Sequence, residues 1–426
     1  MRPGAVPSAP TSGDRIRGAI WGSLVGDAAC LGAHWIYQVR EIARLWPDGL
    51  RGFEEPTGGV WPHSTERTNV PAGNHPTAHY HAGKRSGDQT HYGHAALLQL
   101  ASVAALGRFD EVDFGQRFVD TFGSPQYEGY TDQAMRGMLA NHATFQSEHP
   151  AVPFDFQHGA DDFEGSTYSR LAAVVVAHRD DPAFLSVIER ATRVTQNNSR
   201  AVAHAQCHAL LLRSLLRGHG SGLAAATAEA EAALLAHVDG DEGAGDDIPG
   251  ARLRQSAELV PAAESFGQAC RLDHSFPVGW PATMIARPQP SGPMCLHATC
   301  SAEVEVRPIA GAALRADVLA ELRGARSRAA EDVVPAVAAL GQGCRLDQSF
   351  PSALQAAYRH EHDFREAILD TARAGGDSAG RASLVGAWLG ALLGVHAVPI
   401  EWRERLTAHR EIARYVEVLV GHFPAT

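Results

Sequence analysis

The sequence predicts an all-α protein, a single large bundle of many helices. Three observations lead there. Apolar residues recur at helical spacing in one segment after another. No alternation of strands and helices of the kind that builds a parallel sheet is present. Glycines recur every fourth residue at Gly18, Gly22 and Gly26, and again at Gly386, Gly390 and Gly394, which gives two helices a smooth face for close packing.

At 426 residues, 45% hydrophobic and 20% charged, the chain can bury a sizeable core as one large or two medium domains. A net charge of −11 argues against general nucleic-acid binding. No apolar run approaches the roughly 18 residues that span a bilayer, so neither nucleic acid nor membrane is an expected partner. Cys30, Cys207, Cys270, Cys295, Cys300 and Cys344 form no C-x-x-C pair and read as reduced and mostly buried. Residues 1–12, rich in Pro, Ser and Gly without an apolar segment, read as a disordered lead-in to a helical domain over 13–426. The cytoplasm is the expected location.

Asp14 is placed to cap the first helix, which carries Ile16, Ile20, Leu24, Val25 and Leu31. Asp27 falls late in it, among Gly and Ala, as either a buried hydrogen-bonding group or a site residue. Residues 47–94 are irregular and hold His63, His75, His79, His81, His91 and His94. Such a stretch is usually functional or disordered. No His-x-x-x-His helix or Cys partner accompanies it, so these histidines read as polar loop groups near a substrate rather than a zinc site.

Gly87 sets a turn before Asp88, Gln89 and Thr90, and an apolar helix follows to Leu106. Further helical pieces occupy 110–145. Asp161-Asp162 suit a metal, but adjacent acids before a helix more often complement its N-terminal charge. Gly165-Ser166 repeat the glycine-plus-cap design and read as another wall of one cleft. Gln196 and Asn197 precede the helix 200–217, either as a first turn or as polar groups aimed into a pocket. Residues 218–255 read as a flexible acidic loop without the ligand pattern of a calcium site.

The segment 266–277 recurs almost unchanged at 340–351, a local duplication that leaves 278–339 as an insertion with a short strand around Val304 and Val306. Near the end, Gly375 and Gly376 precede Asp377 and Ser378 at the mouth of a long apolar helix, and Arg381 lies one turn in. Such a mouth binds anions, metals or sugar hydroxyls. An amphipathic helix over 400–421 closes the chain.

The stretch 20–28, Gly87-Asp88-Gln89-Thr90, and Gly375-Gly376-Asp377-Ser378 with its apolar helix resemble the ADP-ribosylglycohydrolase superfamily from about residue 14 to 421. The stretches 34–37, 341–344 and 380–381 resemble its J1-crystallin-like branch. The resemblance implies a single large orthogonal multi-helix bundle around a central cleft. It also implies hydrolysis of the bond between ADP-ribose and a side chain, with two magnesium ions held by an early Thr-Asp-Asp and a late Asp-x-Asp-Thr. Here the early triplet is Gly87, Asp88 and Gln89, and the late positions are Asp377, Ala379 and Gly380. Asp88 and Asp377 would hold at most a single magnesium ion. A pair is not expected, and no cofactor is required.

The expected function is hydrolysis of an N-glycosidic bond in an ADP-ribosylated or NAD-derived substrate, with a small nucleotide or an ADP-ribosylated molecule as partner. Asp88, Asp377 and Asp27 are the candidate catalytic acids, the first two facing each other, with His34 or His91 as proton donor. His34, Gln89, Thr90, His91, Gly165, Ser166, Gln196, Asn197, Gly376, Ser378 and Arg381 are the candidate substrate contacts. A nucleotide-binding protein without catalysis and a structural, crystallin-like protein are the alternatives.

Overall fold

A computed structural model describes residues 9–56, 81, 83–127, 129–218, 222–241 and 311–423. Among these residues the protein is all-α. In chain order the helices are α1 Ser12–Cys30, α2 Val39–Leu45, α3 His91–Leu106, α4 Glu111–Phe122, α5 Gln133–Glu148, α6 Ala172–His178, α7 Phe184–Arg193, α8 Ser199–Arg217, α9 Leu223–Asp241, α10 Gly311–Ser327, α11 Val333–Leu340, α12 Leu346–Arg359, α13 Phe364–Arg373, α14 Ser378–Leu393, α15 Ile400–Arg405 and α16 His409–His422. The only extended pairings among the described residues are two isolated bridges, Ala160 with Gln196 and Glu164 with Arg345.

The helix starts follow local chemistry. Thr11, not Asp14, caps α1: its hydroxyl accepts the Asp14 N–H at 3.1 Å, while the Asp14 carboxylate accepts the Thr11 N–H at 3.1 Å. Helix formation therefore begins inside the expected lead-in. Thr90, Asp110, Asp132, Asn198 and Asp363 cap α3, α4, α5, α8 and α13 in the same way. Within 218–255, expected as a loop, α9 packs against α8 through buried Leu223, Ala226, Ala230 and Leu234. Residues 242–255, the first copy of the repeat, residues 278–310 with the expected strand, and His63, His75 and His79 lie outside the described residues.

The centre of the bundle is the antiparallel pair α1 and α14. A Cβ on Gly18 would lie 1.9 Å from the Gly390 carbonyl oxygen, on Gly22 2.0 Å from that of Gly386, and on Gly26 2.2 Å from that of Ala382. The two backbones therefore touch directly along three turns. Because the pair is antiparallel, the C-terminal end of α1, with Asp27, meets the N-terminal end of α14, with Asp377. Trp388, Leu384, Val385 and Leu389 fill the other sides of α14 and are fully buried.

Candidate functional site

Where α1 and α14 meet, the chain is clasped. After α1 a short 3-10 turn, Leu31–Ala33, leads to His34 and Trp35. The Trp35 N–H donates to the Gly376 carbonyl at 2.7 Å, and the Gly376 N–H donates to the Ile36 carbonyl at 2.8 Å. Gly375 and Gly376 have φ of +70° and +65°, and a Cβ on Gly376 would lie 2.2 Å from the Gln342 carbonyl oxygen, so only glycine fits. Trp35 itself has φ +63°, a strained conformation for a bulky residue, which costs about 1–3 kcal/mol and tends to occur at functional sites.

The second copy of the repeat holds this clasp. Gln342 accepts the Asp377 N–H at 2.8 Å and an Arg381 N–H at 3.0 Å on its carbonyl, and its amide donates to the Ala374 carbonyl at 2.6 Å. Two residues on, the Cys344 carbonyl accepts the Gly165 N–H at 2.8 Å, and the Leu346 N–H donates to the Phe163 carbonyl at 3.1 Å. The repeat thus ties the loop 163–166 to the turn 375–377.

Three fully buried aspartates gather here. Asp27 accepts the Thr90 N–H at 2.8 Å, the Thr90 hydroxyl and the Gly93 N–H at 3.2 Å. Burial pushes its carboxyl up to about 6 against those bonds. Asp377 stands at the N-cap position of α14 but does not cap it. Neither of its oxygens accepts a hydrogen bond of ordinary geometry among the described residues. Burial raises it to about 6, although the charges of Arg381 and His91, and weaker hydrogen bonding from the Tyr92 hydroxyl and the Gly380 N–H, pull the other way. Asp132 caps α5 through the Met135 N–H at 2.7 Å and accepts the Ser166 hydroxyl, and its Oδ2 lies 3.4 Å from His91 Nε2. Burial would raise it, but His91 and Ser166 outweigh that and hold it below the usual carboxylate range.

Beside them, the half-buried Glu164 has its carboxyl pushed up by loss of surrounding water and by the charges of Asp162 and Asp132. Around the acids stand buried imidazoles and rings. His34 stacks on Trp35 at 4.2 Å between centroids, and His81 lies 5.3 Å from His34 and 5.6 Å from His91. Tyr130 meets Trp35 edge-on at 4.8 Å and His91 at 5.1 Å.

Of the residues expected from the sequence, Asp27, His34, Thr90, His91, Ser166, Gly376, Ser378 and Asp377 come together here. Gln89 is buried beside Asp27, both crowding the space a Cβ on Gly93 would fill. Gly165 is part of the bound loop, packed against the Tyr168 hydroxyl.

Four side chains lie otherwise than expected. Asp88 is turned to other partners: its half-buried carboxylate accepts the Thr407 hydroxyl at 2.6 Å and the Arg85 N–H at 3.0 Å, one on each oxygen, which ties its turn to the segment after α15. Arg381 does not reach out for a phosphate, because its guanidinium donates to the carbonyls of Gln342 and Gly375 inside the core. Gln196 spends its amide on Asp162, Glu164 and the Thr167 N–H, so it shapes the loop rather than touching a ligand. Asn197 is exposed and bound to Arg193.

The sequence reading did not single out Asp132, Glu164, Trp35, Tyr92 and Tyr130, which stand in the same cluster. Asp132 carried one usable signal, an acid immediately before a helix. The histidines also differ from expectation. His34, from outside the His-rich run, joins His81 and His91, and one nitrogen of each lies within 4.8 Å of the others.

The residues present do not suit a pair of magnesium ions. That ion demands near-octahedral oxygen ligation. Asp88 is committed elsewhere, Ala379 and Gly380 offer no side-chain oxygen, and imidazoles stand next to Asp377.

A sequence profile of the ADP-ribosylglycohydrolase family matches residues 8–425. Crystallin J1A of Tripedalia cystophora is 23% identical over 412 residues, 95% of this chain and 96% of its own. Crystallin J1B of the same animal is 23% identical over 413 residues, 96% of each chain. A solved chain described as an ADP-ribosylglycohydrolase-related protein complex superposes with a TM-score of 0.55 at 21% identity, covering 97% of this chain and 99% of that one, a likeness of fold.

Proposed function

The chain belongs to the ADP-ribosylglycohydrolase family, whose membership supports a glycohydrolase-type function, and from that premise we propose that it hydrolyses an N-glycosidic bond in an ADP-ribosylated or other NAD-derived molecule. The observation that carries this reading is Asp377. A buried carboxylate without hydrogen bonds of ordinary geometry is costly to the fold. Its place at the mouth of the central helix, buried and with only weak hydrogen bonding, supports a role in holding a ligand.

Cleavage of an N-glycoside passes through an oxocarbenium-like state and needs negative charge near the sugar, a base for water and an acid for the leaving nitrogen. Asp377 supplies the charge and takes the proton of the water that adds to C1. As the C1–N bond breaks, the leaving nitrogen receives a proton from Glu164, whose hold on that proton is strengthened by burial and by the charges of Asp162 and Asp132. Asp27 fixes the start of α3 through Thr90 and Gly93 and so holds Gln89 and His91 in place. No step is routed through magnesium, because the donor set does not fit it.

The test is release of free ADP-ribose from ADP-ribosylated arginine and from small NAD-derived nucleotides, with and without added magnesium. Turnover that falls about 10²–10⁴-fold in Asp377→Asn supports the reading. Equal rates for wild type and variant, or no turnover on any substrate, overturn it. The similarity to two proteins named as crystallins favours a second reading, a structural role without catalysis. The same null result would support that one.

A further inference from the structure

We propose that His34, His81 and His91 bind one divalent transition cation of the zinc class, a site separate in its donors from the carboxylate-held magnesium pair that the resemblance implies. The three histidines come from three segments: the turn after α1, the residue range before α3, and the first residue of α3. None is more than 2% exposed. One nitrogen of each lies within 4.8 Å of the others. A zinc–nitrogen distance of about 2.0–2.1 Å places tetrahedral ligands roughly 3.4 Å apart, so the rings need to close by about an ångström or so. Imidazole donors select zinc, copper or nickel over magnesium.

The surroundings match those of a metal-bound histidine set. A ligating imidazole usually turns its other ring nitrogen to a carboxylate, which fixes the ring and raises its basicity. Here His91 Nε2 faces Asp132 Oδ2 at 3.4 Å, and His34 Nδ1 lies 3.8 Å from Asp377 Oδ1. Asp132 is itself fixed by Ser166 and the Met135 N–H. This leaves His91 Nδ1 buried, without a hydrogen-bond partner among the described residues. The Ala379 N–H also points at His34 Nδ1, at 3.2 Å. With a cation on the other nitrogen, Nδ1 carries a proton and turns from Ala379 to Asp377. Three buried aspartates nearby favour a cation over an empty cluster of imidazoles. Three protein ligands leave a fourth position for water, the arrangement that makes zinc-bound water acidic near pH 7.

The proposal does not depend on the substrate, and its test reads metal rather than turnover. The full chain is stripped with chelator and titrated with zinc sulfate by calorimetry, with metal content measured after dialysis. Cobalt is titrated in parallel and followed by its visible d–d absorption. The expected result is one equivalent bound, with no competition from excess magnesium and with the cobalt band of a tetrahedral nitrogen site. His81→Ala should lower the affinity at least 100-fold, Asp132→Asn about 10–100-fold, and the exposed His396→Asn not at all. Should the histidine variants fail to fold, the cobalt spectrum of the wild-type chain decides. No equivalent bound, an octahedral cobalt spectrum, or a stoichiometry unchanged in folded His81→Ala would show that the imidazoles are only an aromatic wall beside Trp35 and Tyr130.

Discussion

Replacing Gly22 by alanine should damage the protein far more than one added methyl group suggests. The new Cβ would sit 2.0 Å from the Gly386 carbonyl oxygen, 2.7 Å from its carbon and 3.2 Å from the Phe364 ring. Non-bonded carbons do not approach below about 3 Å, so α1 and α14 must part by roughly an ångström. That gap removes a quarter to a half of the dispersion energy at the neighbouring contacts, Gly18 with Gly390 and Gly26 with Ala382. Overpacking costs about 1–3 kcal/mol where side chains can yield. Both partners here are backbone, which puts the expected loss at about 3 kcal/mol or more. Urea unfolding of wild type, Gly22→Ala, Gly386→Ala and the double variant gives the numbers. The double variant should lose less than the sum of the singles, because one separation accommodates both methyls. Gly324→Ala in α10 is the control: nothing lies within 4 Å of its Cβ, so it should gain up to about 1 kcal/mol from helix propensity. A Gly22→Ala change within about 0.5 kcal/mol of zero, the range of an ordinary surface substitution, would refute the direct backbone contact.

Three more outcomes follow from the same geometry. His208 is fully buried between Tyr168 and Trp388, and burial lowers it from 6.5 to about 3; its contribution is fully present above pH 6.5 and drains away as the pH falls toward 3, because the unfolded chain takes up the proton first. The loss is about 2 kcal/mol by pH 5, and denaturant unfolding at pH 7.5 and 5 should show that slope reduced in His208→Gln. Arg381→Met should destabilise the chain by about 1–3 kcal/mol for each buried carbonyl it leaves unpaired, while leaving the KM of any substrate unchanged in the folded fraction, since its guanidinium serves Gln342 and Gly375. Asp88→Asn should keep kcat/KM near wild type, in contrast to Asp377→Asn; a comparable loss would return Asp88 to the site.

The helical architecture was legible because its cause is local. Gly18, Gly22 and Gly26 share one face of a helix by spacing alone, and so do Gly386 and Gly390, so two smooth faces could be read before their pairing was known. Asp377 and Thr90 stood out for a similar reason, as an acid and a cap beside glycine turns, and Asp27 as an acid among the small residues of a helix. Asp88 was misread because a hydroxyl more than 300 residues away, on Thr407, decides which way its carboxylate points. Glu164 carries no local mark of its place in the cluster, and Asp132 only that of an acid before a helix. They matter because Ser166 and the second copy of the repeat bring them beside His91 and Cys344. His81 looked like one of many loop histidines, and only the turn after α1 supplies the partner that sets it apart.

Asp377 is the carboxylate proposed to act on the glycosidic bond. The most direct test is single-turnover release of ADP-ribose from ADP-ribosylated arginine by wild-type protein and by Asp377→Asn, with folding of the variant verified. The expected result is release by the wild type and a loss of about 10²–10⁴-fold in the variant. Release at the same rate from both would contradict it.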